Sequence, residues 1–200
     1  MSSDEIQIED DLFYDNGKSD KTSQYSYVNL NSLTWDTDHY VVVRTLGTYS
    51  SNYYSPIHVS TVEELSTNYE LSCDIKFLDI QGELQTGIEI ASNHPQTYIN
   101  GNECILFQGL SKKGLLLKVN GNNTDYRTNG NLSANKYYKF IIQVNGINVT
   151  ANIIDITDDS TVYTTTQTIS QLSTWKKWNI IVGGIAQTIH FKNLKIKELL

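Results

Sequence analysis

The sequence predicts an all-β chain folded as a two-sheet antiparallel β-sandwich, and three observations carry that prediction. Apolar and polar residues alternate with a period of two in several runs, which places each set on one face of a sheet. Turn signals recur roughly every 8–12 residues, the spacing of short strands in sandwiches. The composition is rich in Asn, Ser, Thr and Tyr but holds only two Pro and one Met, a bias toward strands and tight turns. The 200 residues suit one large β-domain. Residues 1–8 read as a polar lead with an edge strand at Ile6-Gln7-Ile8, and residues 9–200 as a single sandwich domain.

The strongest local signal is the stretch 137–154, where two alternating runs flank Asn145-Gly146, a dipeptide that favours two-residue hairpins. Tyr138, Phe140, Ile142 and Val144 fall on one side of the first run, and Ile147, Val149, Ala151 and Ile153 on one side of the second. The opposite sides carry Lys139, Gln143, Asn148, Thr150 and Asn152, a polar floor open to solvent or to a ligand.

Other elements follow in chain order. Residues 10–15 open an acidic-aromatic segment that runs into the turn-rich stretch 16–20. A short strand is expected between Tyr25 and Leu30. Residues 34–38 read as a loop that leads to a firm strand at 40–44. Pro56 restricts the next strand to a sheet edge, because proline cannot donate to a ladder. Thr61 with Glu64 three residues on has the pattern of a helix start, at most one turn long. Residues 69–77 alternate without a break, 87–91 form a third firm strand, and 104–107 with 114–119 form the next pair. The chain closes on strands through 161–169, 180–184 and 189–196.

The balance of charge excludes several partners. A formal net charge of −7 leaves no clustered basic face for a phosphate backbone, so neither nucleic acid nor an anionic membrane surface is expected as a partner. Lys112-Lys113, Lys176-Lys177 and the alternating Lys192, Lys195 and Lys197 read as solvated strand edges and turns. No run approaches the ~20 apolar residues of a membrane span, and the first residues lack the features of a secretory signal.

The order of elements resembles the concanavalin A-like lectin/glucanase jelly roll, the architecture of laminin-G-like modules. The residues that carry the resemblance are Asp10-Asp11-Leu12-Phe13, the alternating strand at 69–77 with the glycine-bearing strand at 87–91, the strands around Asn145-Gly146, and the closing run Ile189-His190-Phe191-Lys192-Asn193-Leu194-Lys195-Ile196. The resemblance implies two packed antiparallel sheets with ligands on a concave face or at a loop rim. Related hydrolases carry Glu-x-Asp-x-x-Glu on one strand, with working carboxyls ~5 Å apart. That pattern is missing here. Glu70 and Asp74 share a strand face but stand ~13 Å apart along it, and Glu89 sits alone between Ile88 and Ile90. Jelly rolls of this kind often hold a structural calcium, for which Asp10, Asp11 and Asp15 are the first candidate oxygen ligands. The competing reading is turn aspartates making local hydrogen bonds.

Sugar rings stack on aromatic side chains while amides bind their hydroxyls. On that ground Trp35, Tyr53, Tyr54, Tyr98 and Tyr126, with Gln143 and Asn152, form the expected ligand set. Trp175 and Trp178 flank a strand entry, and at least one is expected to pack inward. Cys73 and Cys104 read either as two buried small residues or as a disulfide.

These observations point to a non-catalytic carbohydrate-binding or adhesion module. The expected ligand is a glycan or cell-surface polysaccharide. The expected setting is extracellular, on a cell surface or virion, as part of a viral tail or fibre protein or a prokaryotic surface adhesin. A structural module with protein partners in a larger assembly is the alternative, and an enzyme acting on polysaccharide comes third.

Overall fold

The computed structural model describes residues 11–27, 30–45, 54–62, 64–78, 85–92, 104–110, 114–119, 122–127, 132–183 and 186–199, with backbone alone over 104–127 and at 54, 85 and 186. The first strands are β1 (Asp11–Asp15), β2 (Tyr25–Tyr27), β3 (Ser32–Asp36), β4 (His39–Thr45), β5 (Tyr54–Val59), β6 (Asn68–Phe77) and β7 (Gln85–Ala91). They are followed by β8 (Cys104–Leu110), β9 (Gly114–Val119), β10 (Asn122–Arg127), β11 (Tyr137–Asn145), β12 (Asn148–Asp155), β13 (Ser160–Thr168), β14 (Lys177–Gly183) and β15 (Ala186–Glu198).

An eight-stranded sheet runs β13-β12-β11-β6-β15-β4-β3, with β1 pairing the far half of β15, and a seven-stranded sheet runs β10-β9-β8-β7-β14-β5-β2. Every described pairing is antiparallel. The expected all-β sandwich is therefore what forms. The inward sets of the two sheets share one core, in which Leu71, Ile75, Phe140, Ile142, Ala151, Ile153, Ile189 and Phe191 from one sheet join Ile57, Ile88, Ile90, Trp178 and Ile180 from the other. Burying a side chain of this size contributes roughly 1.5–3 kcal/mol, and the period-two pattern fixes which residues do so.

Polar links cross the interior, among them two direct side-chain hydrogen bonds. Arg44 Nε donates to Ser55 Oγ at 2.7 Å, and Thr86 Oγ1 donates to Gln187 Oε1 at 2.7 Å. All four residues are buried, and each bond joins one sheet to the other. Because groups of this kind are costly to bury unpaired, the links fix how the sheets sit on each other.

The hairpin joins β11 to β12, but its turn is one residue displaced from the expected one. Asn145 pairs with Asn148, so Gly146 and Ile147 form the turn, with Gly146 at φ +59°. Glycine at the first central position suits a two-residue hairpin turn. Ile147 consequently leaves the apolar set and is exposed, while Val149, Ala151 and Ile153 stay buried.

Other expectations change in informative ways. Residues 32–36 are strand β3 and not a loop, hairpinned to β4 through Thr37-Asp38, with Thr37 at φ +58°. Pro56 does not put β5 at an edge, because β14 pairs with it on one side, with Ile181 opposite the proline, and β2 pairs with residues 57–59 on the other. Residues 60 and 61 form a turn, and 62 and 64–66 are not helical. Trp175 and Trp178 both pack fully inward, and Cys73 is a buried free thiol, which excludes the disulfide reading. The strand at Ile6-Gln7-Ile8 lies outside the described residues.

Candidate functional site

The strand registers bring the outward residues of five adjacent strands into aligned rungs. One rung reads Lys195, Ser72, Ile141, Asn152, Thr164 across β15, β6, β11, β12 and β13, and the next reads Lys197, Glu70, Gln143, Thr150, Thr166. A last rung of Asn68, Asn145, Asn148 and Thr168 completes the pattern. Strands spaced about 4.8 Å apart, with outward residues about 6.8 Å apart along each, give a grid roughly 19 Å across from β15 to β13. Gln143, Asn145, Asn148, Thr164, Thr166 and Thr168 are exposed.

Hydrogen bonds hold this grid in place. Gln143 Nε2 donates to Glu70 Oε2 at 2.7 Å, Thr168 Oγ1 donates to Asn148 Oδ1 at 2.9 Å, and the Thr150 and Thr166 hydroxyls lie 3.2 Å apart. Amides and hydroxyls each both donate and accept, so such a surface matches any ligand that does the same. The sequence placed Gln143 and Asn152 on this floor, and the structure puts them there. It missed Thr164, Thr166 and Thr168, although their alternation with Tyr163 and Thr165 is visible in the sequence.

The grid passes without interruption into a basic end on β15, β6 and β11. Lys192, Asp74 and Lys139 make one rung, and His190, Lys76 and Tyr137 the next. The ammonium groups of Lys76 and Lys192 lie 4.8 and 4.7 Å from the Tyr137 ring centroid. A one-residue bulge in β15 between Lys192 and Lys195 sets Asn193 at φ +51°, and its amide donates to Asp74 Oδ2 at 2.6 Å. Burial raises the Asp74 carboxyl, with Asn193 acting against the rise. His190 stacks on His39 with centroids 4.1 Å apart, and His39 Nδ1 lies 2.7 Å from Asp38 Oδ1. The three β15 lysines are therefore not edge residues, since β15 has β6 on one flank and β4 and β1 on the other.

The far side of the sandwich presents the outer face of the seven-stranded sheet. Glu89 and Asn179 are cross-strand partners there, both buried, with Asn179 Nδ2 donating to Glu89 Oε2 at 2.6 Å. Burial pushes the Glu89 carboxyl up to about 8. Asn179 Oδ1 is buried without a hydrogen-bond partner among the described residues. Tyr54 is in register with Gly183, and Tyr126 with Leu116, positions on this same side by alternation. The predicted ligand set is thus divided between two faces, with Gln143 and Asn152 on one and the Tyr54 and Tyr126 positions on the other. Tyr53 and Tyr98 lie outside the described residues. Trp35 is half-buried against the core, and its indole donates to the Gly17 carbonyl at 2.7 Å.

The two described members of the expected calcium set are engaged by donors. Asp15 is fully buried, with Oδ1 accepting from Gly17 N at 2.9 Å and Oδ2 accepting from the Tyr25 and Tyr40 hydroxyls at 2.8 and 2.7 Å. Asp11 pairs with Lys195 at 3.0 Å. Sites built from carboxylate oxygens need those oxygens turned to one centre, and these two serve different donors, so they do not fit a shared calcium cage. Asp10 lies outside the described residues. Among the described residues no group of three or more His, Cys, Asp and Glu is arranged to hold a metal ion.

The carboxylates that decide a hydrolase arrangement are dispersed. Glu70 and Asp74 face outward from β6, Glu89 faces outward from the opposite sheet, and Asp155 ends β12 in an ion pair with Lys136. Glu70 and Asp74 stand four residues apart on one strand, ~13 Å, and Glu89 lies on the other sheet, which is not the pairing at ~5 Å or ~6.5–9.5 Å that glycoside hydrolysis uses.

Neither a family model nor a curated protein matches the sequence. Solved structures do. Lectin I from Ulex europaeus, in complex with the methyl glycoside of alpha-L-fucose, superposes with a TM-score of 0.68 over 94% of this chain and 97% of that one, at 12% identity. The fold is the concanavalin A-like jelly roll. A lectin from Bauhinia forficata in complex with GalNAc gives a TM-score of 0.63 over 94% and 97% of the two chains, at 9% identity. Winged bean acidic lectin, complexed with methyl-alpha-D-galactose, gives 0.59 over 93% and 98%, also at 9%. The match to the jelly roll spans both sheets, so the polar grid and the Glu89–Asn179 pair lie on opposite outer faces of one jelly roll.

Proposed function

We propose that the protein is a non-catalytic carbohydrate-binding module that takes its ligand on the outer face of the β13-β12-β11-β6 strands. The observation that carries this reading is the aligned grid of exposed amides and hydroxyls, held in register by four strands and by hydrogen bonds within the grid. A sugar chain offers alternating hydroxyl donors and acceptors, and Asn, Gln and Thr answer both roles without a charge to desolvate. Sugar-binding neighbours of the same fold support the class of ligand. A face about 14 Å wide over these four strands accommodates a short oligosaccharide lying across them, which suits weak binding repeated along a polymer. The setting in this reading is adhesion outside the cell, on a viral tail or fibre or a prokaryotic surface, where polymeric glycans are the target.

The test is a glycan array probed with the full chain, then with Gln143→Ala and with Thr150→Val combined with Thr166→Val. Hits that vanish in both variants, with unchanged thermal unfolding, are the expected result. An array without a hit at high protein concentration, or hits indifferent to all three positions, contradicts the reading.

A further inference from the structure

We propose that the basic end of this face receives the acidic group of an anionic glycan, a uronate carboxylate or a sulfate ester. The inference rests on the glycan reading and narrows it to a ligand class.

The lysines are the first observation. Five of the fifteen Lys and Arg residues of a chain with net charge −7 stand on one side of three adjacent strands, at Lys76, Lys139, Lys192, Lys195 and Lys197. Edge strands carry lysine to block pairing with other chains, but β15 and β6 are interior strands whose edges are already paired, so that explanation does not apply.

Their pairing is the second. Lys195 is matched by Asp11 at 3.0 Å and Lys192 by the exposed Asp38 at 3.6 Å. Lys76, Lys139 and Lys197 have no carboxylate within ion-pair distance among the described residues. The acid nearest the centre of the cluster, Asp74, shares a rung with Lys139 and Lys192 but is only 3% exposed, with one oxygen bound by Asn193. It interacts with Lys139 and Lys192 and offsets one charge of the cluster when ionised, which leaves the five lysines in excess of the carboxylates paired with them.

Order is the third. Two ammonium groups rest near the Tyr137 ring at 4.8 and 4.7 Å, a contact that favours a fixed position over free rotation. Lys76 and Lys192 are thereby held beside Lys139, and the amides and hydroxyls of the grid begin on the adjoining rungs. An acidic sugar placed with its anion at this end lays its neighbouring hydroxyls over Ser72, Asn152 and Gln143. A polynucleotide is a poorer fit, because it demands a row of cations along its phosphates and this cluster is short and holds no arginine.

The experiment titrates the full chain with three size-matched oligosaccharides, one polyuronate, one sulfated and one neutral, with a single-stranded oligonucleotide as a fourth arm. The wild type is compared with the Lys76→Gln, Lys139→Gln double variant. The expected result is acidic sugar bound about tenfold or more above neutral sugar, with added salt weakening it, and the double variant losing that preference while retaining its unfolding temperature and its neutral-sugar affinity. The preferred acid identifies carboxylate or sulfate. Equal affinity for neutral and acidic sugars overturns the inference and leaves the glycan reading standing. Acid preference that persists in the double variant overturns the location. Oligonucleotide bound more tightly than acidic sugar overturns the ligand class. Failure of every sugar to bind overturns the inference and the glycan reading together.

Discussion

Asn179 holds Glu89 by a single 2.6 Å hydrogen bond across the β14–β7 ladder, with both side chains buried. Burial is the larger effect on the carboxyl and pushes it up to about 8 from 4.5, while the Asn179 bond acts the other way. Glu89 is therefore neutral at pH 7. The folded state binds this proton more tightly than the unfolded chain does, so the contribution is full below pH 4.5 and is lost as pH rises toward 8. At about 1.4 kcal/mol per pH unit, the loss amounts to a few kcal/mol. Glu89→Gln is expected to remove this slope, leaving urea-unfolding stability above that of the wild type at pH 8.5 and close to it at pH 5.

His190 produces the opposite slope. Burial, and then the nearby His39 and Lys76, lower its imidazole to about 4 from 6.5, and the ring stacks on His39. A base whose folded value is depressed binds its proton better when unfolded, so stability falls as pH drops from 6.5 toward 4. An NMR titration is expected to show His190 titrating well below an ordinary histidine. In His190→Phe the acid-side loss of stability is expected to shrink, and an unshifted His190 resonance contradicts the account.

Asp15 joins the two sheets through one oxygen, because Tyr25 belongs to β2 in the seven-stranded sheet and Tyr40 to β4 in the eight-stranded one. Asp15→Ala leaves two buried hydroxyls and the Gly17 N–H without this acceptor, at a cost of roughly 2–5 kcal/mol. Asp15→Asn, which keeps an acceptor oxygen, is expected to cost less. Chemical denaturation of both variants, with Tyr25→Phe and Tyr40→Phe for a coupling cycle, checks the ordering.

Two glycines with positive φ separate backbone strain from crowding. At Gly146, φ +59°, an added Cβ meets nothing within 4 Å, whereas at Gly17, φ +78°, it would lie 2.6 Å from the Asp38 carbonyl oxygen and 3.1 Å from Lys192 Cβ. Gly146→Ala is expected to cost about 1–2 kcal/mol, the left-handed penalty alone. Gly17→Ala should cost clearly more, because backbone must move as well. Equal losses in thermal melts would contradict this reading of the Gly17 turn.

The alternation in β6, β11 and β12 made the sandwich and its core legible, since a period of two admits one buried set. The closing run shows the same logic with a fault in it. Ile189, Phe191, Leu194 and Ile196 are spaced two, three and two apart in sequence, and the bulge at Asn193 is the residue that keeps all four inward. Partnership was less legible than facing. Nothing local distinguishes an interior β15 from an edge, and the lysines favoured the wrong answer. Trp35 looked like a loop aromatic because Asp36-Thr37-Asp38 supplies turn residues, yet the turn needs only Thr37 and Asp38. Gln143 and Asn152 could be placed on the outer face because alternation pointed them outward. Glu89 and Asn179, 90 residues apart, meet only through strand order, which no short stretch of sequence encodes.

The most direct test of the central claim is a backbone-amide NMR titration of the full chain with the tightest-binding glycan. The grid reading predicts shift changes centred on 139–152, 160–168 and 68–76, growing together with a single affinity and absent in Gln143→Ala. Changes centred instead on 54–58, 85–91 and 177–183, the strands around Glu89 and Asn179, would contradict it.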